Sequence, residues 1–187
     1  MDETRFQPPP KALEAIMVQT REIGFQSWCW PPVGALLRVM ASLKPGGRLL
    51  EVGTGTGVGT CWLLDGMDGT AQLLTVDTNP VTQAIARSQL GMDPRLTILT
   101  EDARATVQRE PPNSLDLVFA DGGVGMAVAL RQDQPLFEHH RGRHRCSAVL
   151  PHRQRGVADA QRLSQFALPA QAGGLVLQDN RVTWGNA

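Results

Sequence analysis

The chain contains 187 residues, of which 42% are hydrophobic, and its 18 basic residues balance 18 acidic ones. This length and composition fit one globular domain with a sizeable core. The balanced charge gives no electrostatic reason to expect nucleic acid or an acidic membrane surface as a partner. No apolar run reaches the roughly 20 residues that a membrane span needs, so we expect no membrane partner either.

The cysteines and the N-terminus indicate the compartment. Cys29, Cys61 and Cys146 are widely spaced and form no CxxC pair. This usage suits a reducing cytosol and argues against a disulfide framework or a cysteine-rich zinc site. The chain begins with acidic residues and no apolar run follows, so we expect no signal peptide and a cytoplasmic location.

The first 45 residues predict two helices. Lys11 to Arg21 and Val33 to Leu43 each place apolar side chains at helical spacing. The segment between them is predicted to be a loop, and it carries Trp28 and Trp30.

Between residue 46 and about residue 120, short apolar runs alternate with helix-forming segments. The predicted strands are Arg48 to Val52, Gln72 to Val76, Leu96 to Leu99 and Leu115 to Ala120, and the predicted helices are Gly59 to Leu64, Val81 to Leu90 and Ala103 to Arg109. Strands that alternate with helices through short loops predict an α/β fold, with a mostly parallel sheet and helices on both faces.

A glycine loop, Glu51-Val-Gly-Thr-Gly-Thr-Gly57, follows the first predicted strand. Glycines let a loop adopt unusual dihedral angles and let a ligand contact the backbone, and the helix behind it offers free N–H groups. A phosphate-binding P-loop would need a lysine, which is absent. The dinucleotide fingerprint would need a third glycine at Val58 or Thr60. The remaining interpretations are another class of ligand loop or a glycine-rich turn without a ligand.

Acidic residues close the other three predicted strands. Asp77 ends the second strand, where an acid can accept hydrogen bonds from both hydroxyls of a ribose. Glu101-Asp102-Ala103 follows the third, where a carboxylate could accept the amino group of an adenine. Asp121 ends the fourth, at the sheet edge where ligands of open α/β folds bind. The alternative for Asp77 and Asp102 is a helix cap, and for Asp121 a solvated acid.

These segments resemble bacterial class I S-adenosylmethionine (SAM) dependent O-methyltransferases, the group that includes the catechol and caffeoyl-CoA enzymes. The resemblance covers about residues 12–125. The segments that carry it are Ile23 to Phe25, Gly34 to Leu37, Gly46 to Gly57, Trp62 to Met67, Thr75 to Asp77 and Asp116 to Asp121.

The resemblance implies a Rossmann-like methyltransferase sheet, SAM as the cofactor and N-terminal helices that roof the active site. The expected cofactor contacts are Glu51, Gly53, Thr54, Gly55, Gly57, Asp77, Asp102, Ala103 and Asp121. We expect one domain over residues 1–187, made of a helical cap (1–45), a SAM-binding core (46–125) and an atypical C-terminal region (126–187).

The C-terminal region departs from the family pattern. Gly122-Gly-Val-Gly125 is followed by Met126, where the family has a lysine, and then by a stretch dense in Arg, His, Gln and Pro with no apolar period. Three interpretations stay open. They are a basic loop for an acidic substrate or nucleic acid, a metal site at His139, His140 and His144, and a reading-frame change that left the C-terminal strands incomplete or altered.

A segment near the end, Ala172 to Asn180, resembles the late strand of the cation-dependent members of the family. In those enzymes an Asp-Asn pair joins the Asp of the fourth strand around a divalent ion. The resemblance therefore implies Asp121, Asp179 and Asn180 as ligands of Mg²⁺ or Ca²⁺, through the hard oxygen atoms that these ions prefer.

The sequence as a whole predicts a SAM-dependent O-methyltransferase that acts on a hydroxyl or carboxylate of a small molecule. Asp121 is the candidate catalytic base, and Phe25, Trp28 and Trp30 could form an apolar wall for the acceptor. The alternative is a SAM-binding or catalytically vestigial domain whose C-terminal region was altered by a frame change. A homodimer is possible because an incomplete sheet edge favours pairing.

Overall fold

A computed structural model of the protein describes residues 8–111 and 114–121, together with the backbone of three short strands at 146–149, 175–178 and 181–184. The histidine-rich stretch, Met126, Asp179 and Asn180 lie outside the described residues. None of the described helices combines the length and the apolar character that a membrane crossing requires.

Five helices and seven strands form the described structure. The helices are α1 (Leu13–Glu22), α2 (Pro31–Ser42), α3 (Val58–Gly66), α4 (Pro80–Leu90) and α5 (Ala103–Arg109). The strands are β1 (Arg48–Val52), β2 (Gln72–Asp77), β3 (Leu96–Thr100), β4 (Leu117–Ala120), β5 (Cys146–Val149), β6 (Leu175–Gln178) and β7 (Arg181–Trp184). Every element predicted before residue 121 is present, with ends that differ by at most two residues.

Strands β1 to β5 form one parallel sheet in the order β3-β2-β1-β4-β5. In this register Leu50 of β1 lies between Leu74 of β2 and Val118 of β4. The chain leaves β3 at one edge and returns as β4 on the other side of β1, which creates a switch in strand order beside β1. Open α/β sheets bind their ligands at the carboxyl ends of the strands at such a switch.

The C-terminal region contributes a strand that the sequence did not predict. β5 pairs with β4 in parallel at the edge of the sheet, although it follows a stretch rich in Arg and His. Its four residues are too few to show a periodic pattern. β6 lies within the late segment that resembles the family, and it pairs with β7 in a separate antiparallel sheet.

The sheet buries apolar side chains on both faces. Leu49 and Phe119 pack on one face with side chains from α1, α2 and α3, whereas Val52 and Val118 pack on the other with Val107 of α5. Burying a side chain of this size stabilises the fold by about 1.5–3 kcal/mol. Burial on both faces explains why the strands are continuous apolar runs rather than alternating ones.

The roof of the fold depends on a close helix contact. Gly34 of α2 lies against the indole of Trp62 in α3, and a Cβ at residue 34 would lie 2.3 Å from Trp62 Nε1. Beside it, the guanidinium of Arg38 lies 4.7 Å from the centroid of the Trp62 ring and pairs with Asp65 at 2.6 Å. Only glycine lets α2 approach α3 this closely.

We expect Gly34→Ala to destabilise the protein, because the added methyl group must displace the buried indole. Overpacking of this kind costs about 1–3 kcal/mol, which outweighs the gain of about 1 kcal/mol from better helix propensity. Urea unfolding measures the difference. The matched control is Gly69→Ala, since a Cβ there would meet no atom within 4 Å. Equal stability of the two variants would contradict this packing.

Candidate functional site

An open cleft lies at the carboxyl ends of β1, β2 and β4 and encloses about 420 Å³, its mouth included. Its lining combines an N-terminal segment, the glycine loop and two strand ends: Phe25, Ser27, Trp28, Cys29, Gly53, Thr54, Gly55, Thr56, Val58, Gly59, Asp77 and Asp121. Among these described residues the charged side chains are two carboxyl groups and no basic group. The cleft is therefore suited to a ligand that carries positive charge.

The backbone of the glycine loop requires glycine at three positions. Gly53, Gly55 and Gly57 have φ angles of 99°, 52° and 92°, in the region that residues with a Cβ rarely adopt. In addition, a Cβ at residue 57 would lie 2.8 Å from the Cβ of Ala86 in α4. The loop is thus closely packed on α4 while it opens towards the cleft.

Two contacts that involve side chains tie the loop to β2. The amide of Gly55 donates to Asp77 Oδ2 at 2.8 Å, and the hydroxyls of Thr54 and Thr75 lie 2.8 Å apart. A third contact ties it to α1, because the Thr56 hydroxyl donates to Thr20 Oγ1 at 2.9 Å while Thr20 donates its own proton to the carbonyl of Ile16. We call these three contacts the loop tethers. They fix consecutive loop residues to elements on either side of the cleft.

The segment between α1 and α2 covers the cleft, whereas the resemblance implied a roof made of the N-terminal helices. The Phe25 ring lies over the loop, 3.3 Å from where a Cβ of Gly55 would stand, and Trp28 also lines the cleft. Trp30 was expected in the same apolar wall, but it does not line the cleft and its side chain is 62% exposed. It stands at the N-cap of α2, which turns it away to the surface.

Asp77 is half-buried at the end of β2, with both carboxylate oxygens engaged. Oδ2 accepts from Gly55 and Oδ1 accepts from the amide of Asn79 at 3.0 Å. The cap of α4 is Asn79, whose Oδ1 accepts from the amide of Val81. Asp77 therefore is not the helix cap, and a carboxylate with about four acceptor positions keeps capacity for a ligand.

Asp102 is the N-cap of α5, the alternative that the sequence left open. Its Oδ1 accepts from the amide of Arg104 at 2.8 Å. Asp102 is exposed and Ala103 is buried, and neither of them lines the cleft. The neighbouring Glu101 accepts from Thr106, which holds the pKa of that carboxyl below its usual value.

Asp121 lies directly at the end of β4, where its amide donates to the carbonyl of Val52 in β1 at 2.8 Å. Its side chain lines the cleft, and burial raises the pKa of the carboxyl to about 7. Near neutral pH this group therefore exists in both protonation states. That property suits a residue that exchanges a proton with a ligand.

Glu51 is fully buried beneath the glycine loop and does not line the cleft itself. Its Oε2 accepts from the hydroxyls of Thr60 at 2.5 Å and Thr75 at 2.7 Å. Burial raises the pKa of Glu51 to about 8, the two hydroxyl hydrogen bonds act in the opposite direction, and Asp121 and Asp77 raise it further. Its other oxygen, Oε1, has no hydrogen-bond partner in the described part of the chain.

The sequence missed the polar residues that support the site from below. Thr60, Thr75 and Gln83 are buried and hydrogen-bonded around Glu51 and Thr54. A signal was present, because Gln83 interrupts the apolar face of α4 and needs a buried partner. Ser27 and Cys29 of the cleft lining had no signal beyond their place next to Trp28.

The metal prediction lies largely outside the described residues. Asp121 is described, but Asp179, Asn180 and the three clustered histidines are not. Within the described part of the chain, no group of three His, Cys, Asp or Glu side chains could hold a metal ion.

Comparison with known families and curated proteins gives consistent matches. A family model described as "Methyltransferase domain" matches residues 50–134. A protein of Mycolicibacterium smegmatis named "Putative O-methyltransferase" is 36% identical over 162 residues, which cover 82% of this chain and 74% of the relative. Its counterpart in Mycolicibacterium vanbaalenii is 37% identical over 164 residues, which cover 82% and 69%. Residues 1–125 are about two thirds of the chain, so the similarity extends into the C-terminal region.

Solved structures show the same fold. An O-methyltransferase from Bacillus cereus in complex with S-adenosylhomocysteine (SAH) has a TM-score of 0.54 at 22% identity, over 63% of this chain and 56% of that one. TomG from Streptomyces achromogenes, an O-methyltransferase involved in tomaymycin synthesis and solved with SAM, has a TM-score of 0.54 at 25% identity, over 63% and 56%. The chain thus matches a little over half the length of each of these two enzymes.

We expect Glu51→Gln to change how stability depends on pH. The folded protein holds the Glu51 proton up to about pH 8, whereas the unfolded chain releases it near 4.5. The stabilisation by Glu51 is therefore fully present below about pH 4.5 and is lost as the pH rises towards about 8. Glutamine does not titrate, so the variant does not lose this stabilisation as the pH rises.

Urea unfolding of both proteins at several pH values between about 5 and 8 measures the effect. The unfolding free energy of the variant relative to wild type should rise by about 3 to 4 kcal/mol across this range. Asp121 titrates in both proteins, so the burial of its own carboxyl contributes to both curves. Parallel curves would show that Glu51 is not a buried acid with a raised pKa.

Proposed function

Because the chain belongs to the class I SAM-dependent O-methyltransferases, we propose that it transfers the methyl group of SAM to a hydroxyl or carboxylate oxygen of a small molecule.

The observation that carries the proposal is the acid-lined cleft at the carboxyl ends of the strands. The donor carries a positive sulfonium and a positive ammonium group against one carboxylate. Asp77 and Asp121 are the charged residues of the described lining, so the cleft favours a ligand with net positive charge. The solved relatives from Bacillus cereus and Streptomyces achromogenes are described with SAH and SAM bound.

We assign the donor contacts as follows. Asp77 accepts hydrogen bonds from the ribose hydroxyls, because it ends β2 and faces the cleft. The backbone of the glycine loop lies against the methionine part of the donor. The residues of that contact are Gly53, Thr54, Gly55 and Gly57. Asp102 and Ala103 remain proposed for the adenine, through Oδ2 of Asp102 and the backbone at the start of α5.

Methyl transfer from SAM requires no covalent bond between the protein and either reactant. Bound SAM supplies a methyl group that leaves its sulfur as the acceptor oxygen attacks in line. The chain has to hold the acceptor in that line and exclude water, which the roof of Phe25 and Trp28 supports. A hydroxyl acceptor must also lose its proton, and Asp121 can take it because its pKa lies near 7.

The metal site, the homodimer and the cytoplasmic location remain predictions from the sequence. The Mg²⁺ or Ca²⁺ site depends on Asp179 and Asn180, which lie outside the described residues. Homodimerisation and cytoplasmic location rest on the sequence alone. The vestigial alternative with a frame change gains no support, because the relatives match beyond residue 125.

The proposal is tested by incubating the full chain with SAM and a panel of catechol and carboxylate acceptors. We expect an O-methylated product together with SAH, and we expect Asp121→Asn to lower the rate about a hundredfold with a hydroxyl acceptor. The matched control is Asp116→Asn, whose carboxylate accepts from the Arg48 amide at the opposite end of the sheet. Binding of SAM without transfer to any acceptor would favour the SAM-binding alternative instead.

A further inference from the structure

A continuous chain of hydrogen bonds runs beneath the glycine loop, from the surface of α4 to Glu51. We call it the buried relay. Its bonds, in order, are Arg87 Nη2 to Thr100 Oγ1 (2.9 Å), Thr100 Oγ1 to Gln83 Oε1 (2.5 Å), Gln83 Nε2 to Thr54 Oγ1 (3.0 Å), Thr54 Oγ1 to Thr75 Oγ1 (2.8 Å) and Thr75 Oγ1 to Glu51 Oε2 (2.7 Å). The four members nearest Glu51, itself included, are at most 3% exposed.

At the surface end of the relay, the chemistry of Arg87 and Gln83 fixes which atom of each hydrogen bond donates. Arg87 can only donate, so Thr100 accepts from it and gives its own proton to Gln83 Oε1. The amide of Gln83 cannot be turned around, because its Nε2 also donates to the carbonyl of Leu99 at 2.8 Å and a carbonyl can only accept. Nε2 is therefore the atom that faces Thr54.

The direction is fixed in the same sense at the buried end. Thr75 has one hydroxyl proton and donates it to Glu51, so its contact with Thr54 can only be as an acceptor. Thr54 then donates to Thr75 and accepts from Gln83. Every proton in the relay points from the cation Arg87 towards the carboxyl of Glu51, and bonds aligned in this way strengthen one another.

The relay ends on a group that lies directly under the cleft. Glu51 Oε1 is fully buried and has no described partner, and it lies 2.5 Å from where a Cβ of Gly59 would stand. Gly59 lines the cleft. The charge of Glu51 raises the pKa of the Cys29 thiol, and the charge of Asp121 raises the pKa of Glu51; Cys29 and Asp121 both line the cleft.

We propose that Gln83, Thr54 and Thr75 are positioning residues that orient the Glu51 carboxyl beneath the positively charged methyl donor and favour its ionised form when the donor binds. This inference rests on the proposed function, since it requires that SAM binds in the cleft. The residues act through Glu51, and only Thr54 also lines the cleft. Removing the relay therefore weakens donor binding by making Glu51 harder to ionise.

The charges around Glu51 determine in which direction its ionisation should shift when the relay is interrupted. The titratable groups that act on it or respond to it are Asp121 after β4, Asp77 at the end of β2, Cys29 before α2 and Cys61 in α3. The two carboxyl groups raise the pKa of Glu51, whereas the hydroxyls of Thr60 and Thr75 lower it. Loss of the Thr75 hydroxyl should thus shift the ionisation of Glu51, and the donor binding that depends on it, to higher pH.

The experiment measures SAM binding by calorimetry across a pH series for the full wild-type chain and four variants. Thr75→Val and Gln83→Met interrupt the relay, and Thr75→Ser keeps its hydroxyl. The control is Thr97→Val, the same change on the exposed side of β3. Dividing each variant's affinity by that of wild type at the same pH cancels the titration of SAM itself.

We expect Thr75→Val to move the pH midpoint of SAM binding upward by about one unit, as loss of a hydrogen bond to a charged group implies. Gln83→Met should move it in the same direction by a smaller amount, while Thr75→Ser and Thr97→Val keep the wild-type midpoint. An unchanged midpoint in Thr75→Val and Gln83→Met, even with lower affinity, would overturn the proposal. Wild-type protein that does not bind SAM would instead overturn the proposed function.

If the two interrupting variants do not fold, the wild-type protein decides the question. The carboxyl carbon of Glu51 can be followed by nuclear magnetic resonance during a pH titration, with and without SAM. Titration near pH 8 that moves down when SAM binds supports the inference. A Glu51 carboxyl that titrates at its ordinary value, or whose titration SAM does not move, overturns it.

Discussion

The burial of the Glu51 carboxyl beneath the glycine loop constrains the residues around it. Burying an acid costs several kcal/mol unless it is neutral or hydrogen-bonded. The hydroxyls of Thr60 and Thr75 supply the hydrogen bonds on one oxygen. The other oxygen comes so close to α3 that a Cβ at residue 59 would lie 2.5 Å from it, which favours glycine there. One carboxyl thus determines the polar residues of β2 and the start of α3 together.

The same arrangement links the fold to the cleft. Thr54 contacts the relay on its lower side and the cleft on its upper side, while the amide of Gly55 is held by Asp77. The third tether joins Thr56 to Thr20, so the N-terminal roof is positioned by the loop that forms the floor. A ligand in this cleft would contact groups that are fixed before it arrives, which lowers the entropic cost of binding it.

Local sequence patterns predicted the elements up to residue 121, because each short apolar run lies between turn residues that end it. The same patterns placed Asp77 and Asp121 at the cleft, since the carboxyl ends of parallel strands meet at one edge. They could not decide the role of Asp102, because a helix cap and a ligand contact use the same residue type in the same place. The structure shows the cap.

The contacts between residues distant in sequence could not be predicted from local sequence patterns. The relay joins residues on β1, β2, β3 and α4 through hydrogen bonds that depend on register, and no local spacing reveals register between parallel strands. β5 was missed for a related reason. It is held by its pairing with β4 rather than by a pattern of its own four residues.

The central claim is that the glycine loop and Asp77 form the site of the methyl donor. Calorimetric titration of the full chain with SAH, in wild type and in Asp77→Asn, tests it most directly. We predict that wild type binds SAH and that Asp77→Asn binds it at least tenfold more weakly, as loss of a charged acceptor implies, while Asp116→Asn binds like wild type. Wild-type affinity in Asp77→Asn, or no binding by any of the three proteins, would contradict the claim.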